Sequence, residues 1–155
     1  MGLALHLDAH TVKGNYIYVD RIVRVYDGDT VYVDIDEWHP VIGKNLGIRI
    51  AGIQAPEIKG APECEKQDAA AAQYAVVDFF ATHDGKYIKN PKRGSFFRIV
   101  GDFVDNDGNS LKEYLLELGV VMPWDGKGKK PKWVCIIDRT EWCSRSYNGR
   151  YSKRQ

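Results

Sequence analysis

Apolar and polar positions change period several times along the chain, and each period predicts an element. From Tyr16 to Tyr26 (YIYVDRIVRVY) β-branched and aromatic residues dominate, and Thr30 to Ile35 (TVYVDI) alternates apolar with polar, as half-buried strands do. Between them Asp27-Gly28-Asp29 reads as a tight turn. After a loop holding Pro40 and Gly43, Leu46 to Ile53 (LGIRIAGI) predicts a third strand, with Ile48 and Ile50 on one face and Arg49 on the other. The three strands are expected to form an antiparallel meander.

Glu65 to His83 predicts a helix, because Ala69, Ala72, Val76, Phe79 and Phe80 recur at three-and-four spacing among further alanines. Asp84-Gly85 ends it. Lys86 to Lys89 and Ser95 to Asp105 predict two more strands, followed by the turn Asn106-Asp107-Gly108-Asn109. Ser110 and Glu113 make a capping box that starts a short helix through Leu118, closed by Gly119. Three strands, a helix, two strands and a helix are the element order of a five-stranded Greek-key barrel, the OB-fold. The expected class is therefore α+β, a five-stranded barrel with two or three helices.

Length adds that residues 1–155 suit one domain. Residues 126–155 read as a basic, aromatic extension of it, whose one strand-like run is Trp133 to Ile137. Charge sharpens this division. Lys127 to Gln155 holds nine Lys or Arg against two acids, +7, which leaves 13 minus 19, or −6, for the rest of a chain whose net charge is +1. The extension carries Lys127, Lys129, Lys130 and Lys132, then Trp133, Trp142, Tyr147 and Tyr151 among Arg139, Arg145 and Arg150. Cations for phosphates interleaved with aromatics for bases suit sequence-tolerant nucleic-acid binding, and a merely solvated basic tail fits equally.

Cys64, Cys135 and Cys143 cannot all pair within the chain and match no zinc spacing, so reduced thiols are expected. MGLALHLDAH lacks a basic start and is broken by His6 and Asp8, which argues against a signal peptide, and no apolar run nears the ~20 residues of a membrane span. A soluble, cytoplasmic protein with no membrane partner and no organic cofactor is expected. The four histidines, His6, His10, His39 and His83, have no ligand-like spacing. The acidic run Asp34, Asp36 and Glu37 falls on a solvated hairpin end and is left out of the site.

The densest chemistry is Asp27-Gly28-Asp29-Thr30, followed by Arg49 and then Pro56-Glu57. Phosphodiester hydrolysis uses a divalent ion on a non-bridging oxygen, a carboxylate to direct water, and fixed guanidinium groups on the developing charge. Each part is present. Individually, Asp29 reads as a turn residue and Arg49 as half of a surface ion pair, and only their combination points to a site.

VYDGDTVYV, IRIAGIQAPE and FFRIVGDFVDNDGNSLKEYLLELG together resemble the staphylococcal nuclease, or thermonuclease-like, family, from about Val23 to Val121. That resemblance implies an OB-fold and a calcium-dependent phosphodiesterase acting on DNA and RNA, leaving 3′-phosphate and 5′-hydroxyl ends. It implies that Asp29 binds the metal, Arg49 holds the scissile phosphate and Glu57 positions or deprotonates water. The second phosphate arginine falls on Arg98, ten residues before Gly108, although the family's YGR has become Phe96-Phe97-Arg98; Arg93 is the fallback. Trp124 lies near a region that contributes substrate-contacting aromatics.

One position departs from the family. Its GI-D-x-PE motif carries a second metal carboxylate where this chain has Gln54. An amide offers a neutral oxygen, so three outcomes stay open: a weaker calcium site, a magnesium or manganese site leaning on water and on Asp27, or no metal. The leading expectation is a metal-dependent endonuclease of low sequence specificity whose partner is DNA, or RNA. The rival is a non-catalytic OB-fold module binding nucleic acid or protein. A small-molecule phosphodiesterase has no feature of its own in support.

Overall fold

The structure is a computed structural model, and it describes residues 15–136. The first apolar segment forms two strands, β1 (Tyr16–Tyr18) and β2 (Arg21–Val25), instead of one. The break has a physical cause. Val19 donates its N–H to the carbonyl of Lys86 at 2.9 Å, whereas Asp20 donates to the carbonyl of Asp34 at 3.0 Å, so successive amides serve different neighbours.

Next come β3 (Thr30–Asp34), a short helix α1 (Pro40–Gly43) in the expected loop, β4 (Leu46–Ile50) and a two-residue β5 (Ile53–Gln54). The third expected strand thus ends at Ile50, and the Ala51-Gly52 turn redirects its last residues. Helix α2 (Glu63–Thr82), β6 (Tyr87–Arg93), β7 (Arg98–Val104), helix α3 (Leu111–Leu118) and a two-residue β8 (Met122–Pro123) follow.

The architecture is mixed α+β. A six-stranded sheet runs β1-β6-β7-β4-β3-β2, and β5 pairs with β8 in a separate ladder. Five strands were expected; the sixth is the detached half of the first. The pairs are antiparallel except β4 with β7, which run parallel with Gly47 opposite Arg98 and Arg49 opposite Val100. The sheet's two end strands, β1 and β2, are consecutive in the chain, separated by Val19 and Asp20.

Val31, Val33, Ile48, Ile50, Ile88 and Phe103 from the sheet meet Ala72, Val76 and Phe79 of α2 and Leu111 and Leu115 of α3 in one apolar core. Phe79 and Phe103 are fully buried, each worth about 1.5–3 kcal/mol. The alanine stripe of α2 allows close approach, and Glu63 and Glu65 in its first turn complement the helix dipole. In α3 the capping box forms as expected, the Ser110 hydroxyl accepting from the Glu113 N–H at 3.1 Å. Tyr114 donates to Asp78 at 2.7 Å and ties the two helices together.

Asp34 and Asp36 pair with Arg21 and Lys44 at the surface, consistent with leaving that run out of the site. The cysteine expectation fails. Cys64 and Cys135 form a disulfide with Cα atoms 5.9 Å apart across 71 residues of sequence, while Cys143 lies outside the described residues. Only the fold brings the two thiols together, because α2 begins beside the returning C-terminal segment, so their spacing gave no sign. Disulfides persist in oxidising surroundings, so the cysteine argument for a reducing compartment does not hold. Among the described residues no helix is long and apolar enough to cross a membrane.

Candidate active site

An open cleft of about 450 Å³ brings together Asp27, Asp29, Arg49, Gln54, Glu57, Arg98, Trp124 and Lys130, with Tyr26, Thr30 and Tyr32 along its walls. These residues arrive on the β2–β3 turn, on β3, β4 and β5, on the loop after β5, at the start of β7 and on the segment after β8. Every catalytic and metal residue expected from the sequence lies in this one cleft. Arg93, the fallback for Arg98, lines a different hollow beside Trp38.

The β2–β3 turn is held by its own carboxylates. Asp27 accepts from the Asp29 N–H at 2.9 Å, and Asp29 accepts from the Ala55 N–H at 2.8 Å and the Thr30 hydroxyl at 3.1 Å. Gly28 is required here, because a Cβ would come within 2.7 Å of the Ala72 Cβ on α2. Burial, and then the charge of Asp29, raise the Asp27 carboxyl to about 7.

Arg49 is fixed by acceptors on its own and the following strand. Its Nη1 donates to the Ile50 carbonyl and its Nη2 to the Ile53 carbonyl, both at 2.9 Å, and Nη2 also reaches Gln54 Oε1 at 3.2 Å and Asp29 Oδ2 at 3.3 Å. Arg98 is freer. Its Nε contacts the Ser95 carbonyl at 3.4 Å, and its stem crosses β4 at Gly47, where a Cβ would stand 3.1 Å from Arg98 Cγ.

Gln54 does not present its carbonyl oxygen to a metal site. Oε1 faces the Arg49 donor, while Nε2 donates to the Ala55 carbonyl at 2.9 Å and to Glu57 Oε1 at 3.3 Å. An arginine can only donate and an ionised carboxylate only accept, so the chemistry of the neighbours fixes the orientation of the amide. The residue links Arg49 to Glu57.

Glu57 is positioned twice. Its N–H donates to the Glu65 carboxylate at 2.9 Å, and its own carboxylate receives Gln54 and the ammonium of Lys130. Sequence reasoning missed Glu65, Gly47 and Tyr32, none of which carries a distinctive motif. Of the basic extension, Lys130 reaches the cleft and Lys127, Lys129 and Lys132 do not line it. Trp124 lines it, held by its N–H on the Gly52 carbonyl at 2.9 Å and its indole N–H on the Lys127 carbonyl at 3.0 Å. Arg139, Trp142, Arg145, Tyr147, Arg150 and Tyr151 lie outside the described residues.

Among the described residues no three His, Cys, Asp or Glu side chains converge as a metal cage. Asp27 and Asp29 are nonetheless neighbouring hard-oxygen donors in the cleft, and burial first, then the nearby Asp29 charge, raises the Asp27 carboxyl. That donor set fits a hard cation with two carboxylates, and not one with three.

No family model matches the chain, and no curated protein matches it significantly.

Proposed function

We propose that this chain hydrolyses phosphodiester bonds of nucleic acid, as a divalent-cation-dependent endonuclease of low sequence specificity acting on DNA, with RNA as a second substrate. The observation that carries the reading is the convergence of Asp29, Arg49, Glu57 and Arg98, from separate stretches of chain, in one cleft. We read the scaffold as an OB-type barrel of the staphylococcal nuclease kind. In that reading β1 and β2 are two halves of one strand, and the parallel β4–β7 pair joins the third strand to the fifth.

Asp29, with Asp27 beside it, would hold a hard divalent cation, which supplies Lewis-acid neutralisation of a non-bridging phosphate oxygen. Two carboxylates suit an ion that keeps water and completes its shell on substrate, which favours magnesium or manganese over calcium. Arg49 is held rigid by backbone carbonyls and offers its remaining N–H groups to the phosphate. Arg98, at the start of β7, supplies a second guanidinium to the same cleft, and the two stabilise charge as it develops.

An arriving phosphate draws Lys130 away from Glu57, whose carboxylate then takes a proton from an attacking water. The water oxygen bonds to phosphorus, the bond to the leaving oxygen breaks, and that oxygen takes a proton from solvent in the open cleft.

The rival reading, a binding module without turnover, draws on the Lys130–Glu57 ion pair and on Gln54 replacing a carboxylate. Incubation with supercoiled plasmid, single-stranded DNA and RNA under calcium, magnesium, manganese or chelator separates the two. Cleavage abolished by chelator, by Glu57→Gln and by Arg49→Ala supports the enzyme. Binding without cleavage under every ion supports the module.

A further inference from the structure

The β6–β7 hairpin, KYIKNPKRGSFFRIVG from Lys86 to Gly101, carries five basic residues and no acidic one. At its tip Phe96 is 90 % exposed and Phe97 68 % exposed. Both have left-handed backbone, with φ of 55° and 57°. An L side chain is strained there, and two consecutive phenylalanines in that region are unusual. Rings this exposed bury little apolar surface to offset that strain, so packing does not explain them.

The rings stand beside the candidate cleft. Phe96 and Phe97 line a hollow with Tyr32 and Arg98, and both of the latter also line the cleft. The Arg98 guanidinium carbon lies 5.9 Å from the Phe96 ring centroid. A ligand held by Arg98 would therefore extend directly onto the two rings.

We propose that Phe96 and Phe97 form a base-stacking subsite for a single-stranded nucleic acid whose phosphate is held by Arg98. The inference deepens the proposed function and rests on its view that the cleft takes nucleic acid. Phenyl faces accept any base, and the hairpin's cations complement the strand's phosphates without reading sequence. A duplex keeps its bases stacked on one another and offers the rings no open face. Exposed phenylalanines beside cations also resemble a membrane anchor; the residues shared with the cleft favour nucleic acid.

The test is equilibrium binding of the full chain, in chelator so that nothing is cleaved, to a labelled single-stranded oligonucleotide and to an equally long strand of abasic sites. Wild type is expected to bind the base-bearing strand about tenfold or more tightly. The double variant Phe96→Ala/Phe97→Ala is expected to lose that preference and keep its affinity for the abasic strand, while Phe96→Trp/Phe97→Trp keeps the preference. Equal wild-type affinity for the two strands, an unchanged preference in the alanine variant, or its loss of abasic binding would each overturn the proposal. So would loss of binding to anionic phospholipid vesicles with oligonucleotide binding intact. Because no turnover is involved, a chain that cleaves nothing under any ion leaves this result standing.

Discussion

The side-chain oxygen of Gln54 lies 3.2 Å from Nη2 of Arg49, and its amide nitrogen lies 3.3 Å from the Glu57 carboxylate. One uncharged side chain thus couples the proposed phosphate clamp to the proposed base, at the position where the resembling family carries a metal carboxylate. Gln54→Asp is expected to tighten divalent-ion binding by about tenfold, measured by calorimetry without nucleic acid, because a third carboxylate joins Asp27 and Asp29. An unchanged affinity would mean that a carboxylate at position 54 stays on Arg49, as the Gln54 oxygen does.

Lys130 reaches Glu57 on a segment secured at both ends. Trp124 bonds to Gly52 at its start; at its end Cys135 is bonded to Cys64, and Asp68 accepts from the Trp133 indole and the Ile136 N–H at 2.9 and 2.8 Å. The double variant Cys64→Ser/Cys135→Ser is expected to lose about 2–4 kcal/mol of stability in denaturant titration. Lys130→Met should fold normally yet weaken oligonucleotide binding and reduce the slope of log affinity against log salt by about 1. An unchanged slope would remove Lys130 from the phosphate contacts.

Asp27 predicts a pH dependence in metal-free protein. Its folded pKa of about 7 lies above the ordinary carboxylate value, so the folded state binds the extra proton between roughly pH 4 and 7. Stability is therefore greatest below that window and is lost as pH rises through it, the reverse of a salt-bridged aspartate. Thermal melts in chelator should show Asp27→Asn raising Tm at pH 8 and changing little at pH 4. Equal effects at both values would contradict a raised carboxyl.

Gly47 makes room for Arg98 to cross β4, since a Cβ there would stand 3.1 Å from Arg98 Cγ and 3.5 Å from a Tyr32 ring carbon. Gly47→Val is expected to cut activity by about 10- to 100-fold by displacing Arg98, a loss of the kind seen when one charge-stabilising donor is misplaced. Circular dichroism should remain native. Full activity would show that Arg98 needs no such passage.

Much of the scaffold was legible because its signals are local. The alternation of Thr30 to Ile35, the alanine and phenylalanine stripe of α2, and the Ser110–Glu113 cap each depend on neighbours in sequence. The break after Tyr18 was not legible, because it arises where Val19 and Asp20 bond to Lys86 and Asp34, partners far along the chain. Long-range placement also hid the Cys64–Cys135 bond, the arrival of Lys130 at Glu57 and the grip of Glu65 on the Glu57 amide. That Asp27, Asp29, Arg49, Gln54, Glu57 and Arg98 line one cleft was expected from residue type, spacing and resemblance, whereas the orientation of Gln54 depended on which neighbours donate and which accept.

The most direct test compares plasmid cleavage by wild type and Glu57→Gln under saturating magnesium or manganese, with plasmid binding measured in parallel. Wild type should cleave, and Glu57→Gln should bind as tightly while cleaving about 10²- to 10⁴-fold more slowly, as expected for removal of a general base. Equal cleavage by the two proteins, or none by wild type under any divalent ion, would contradict phosphodiester hydrolysis at this cleft.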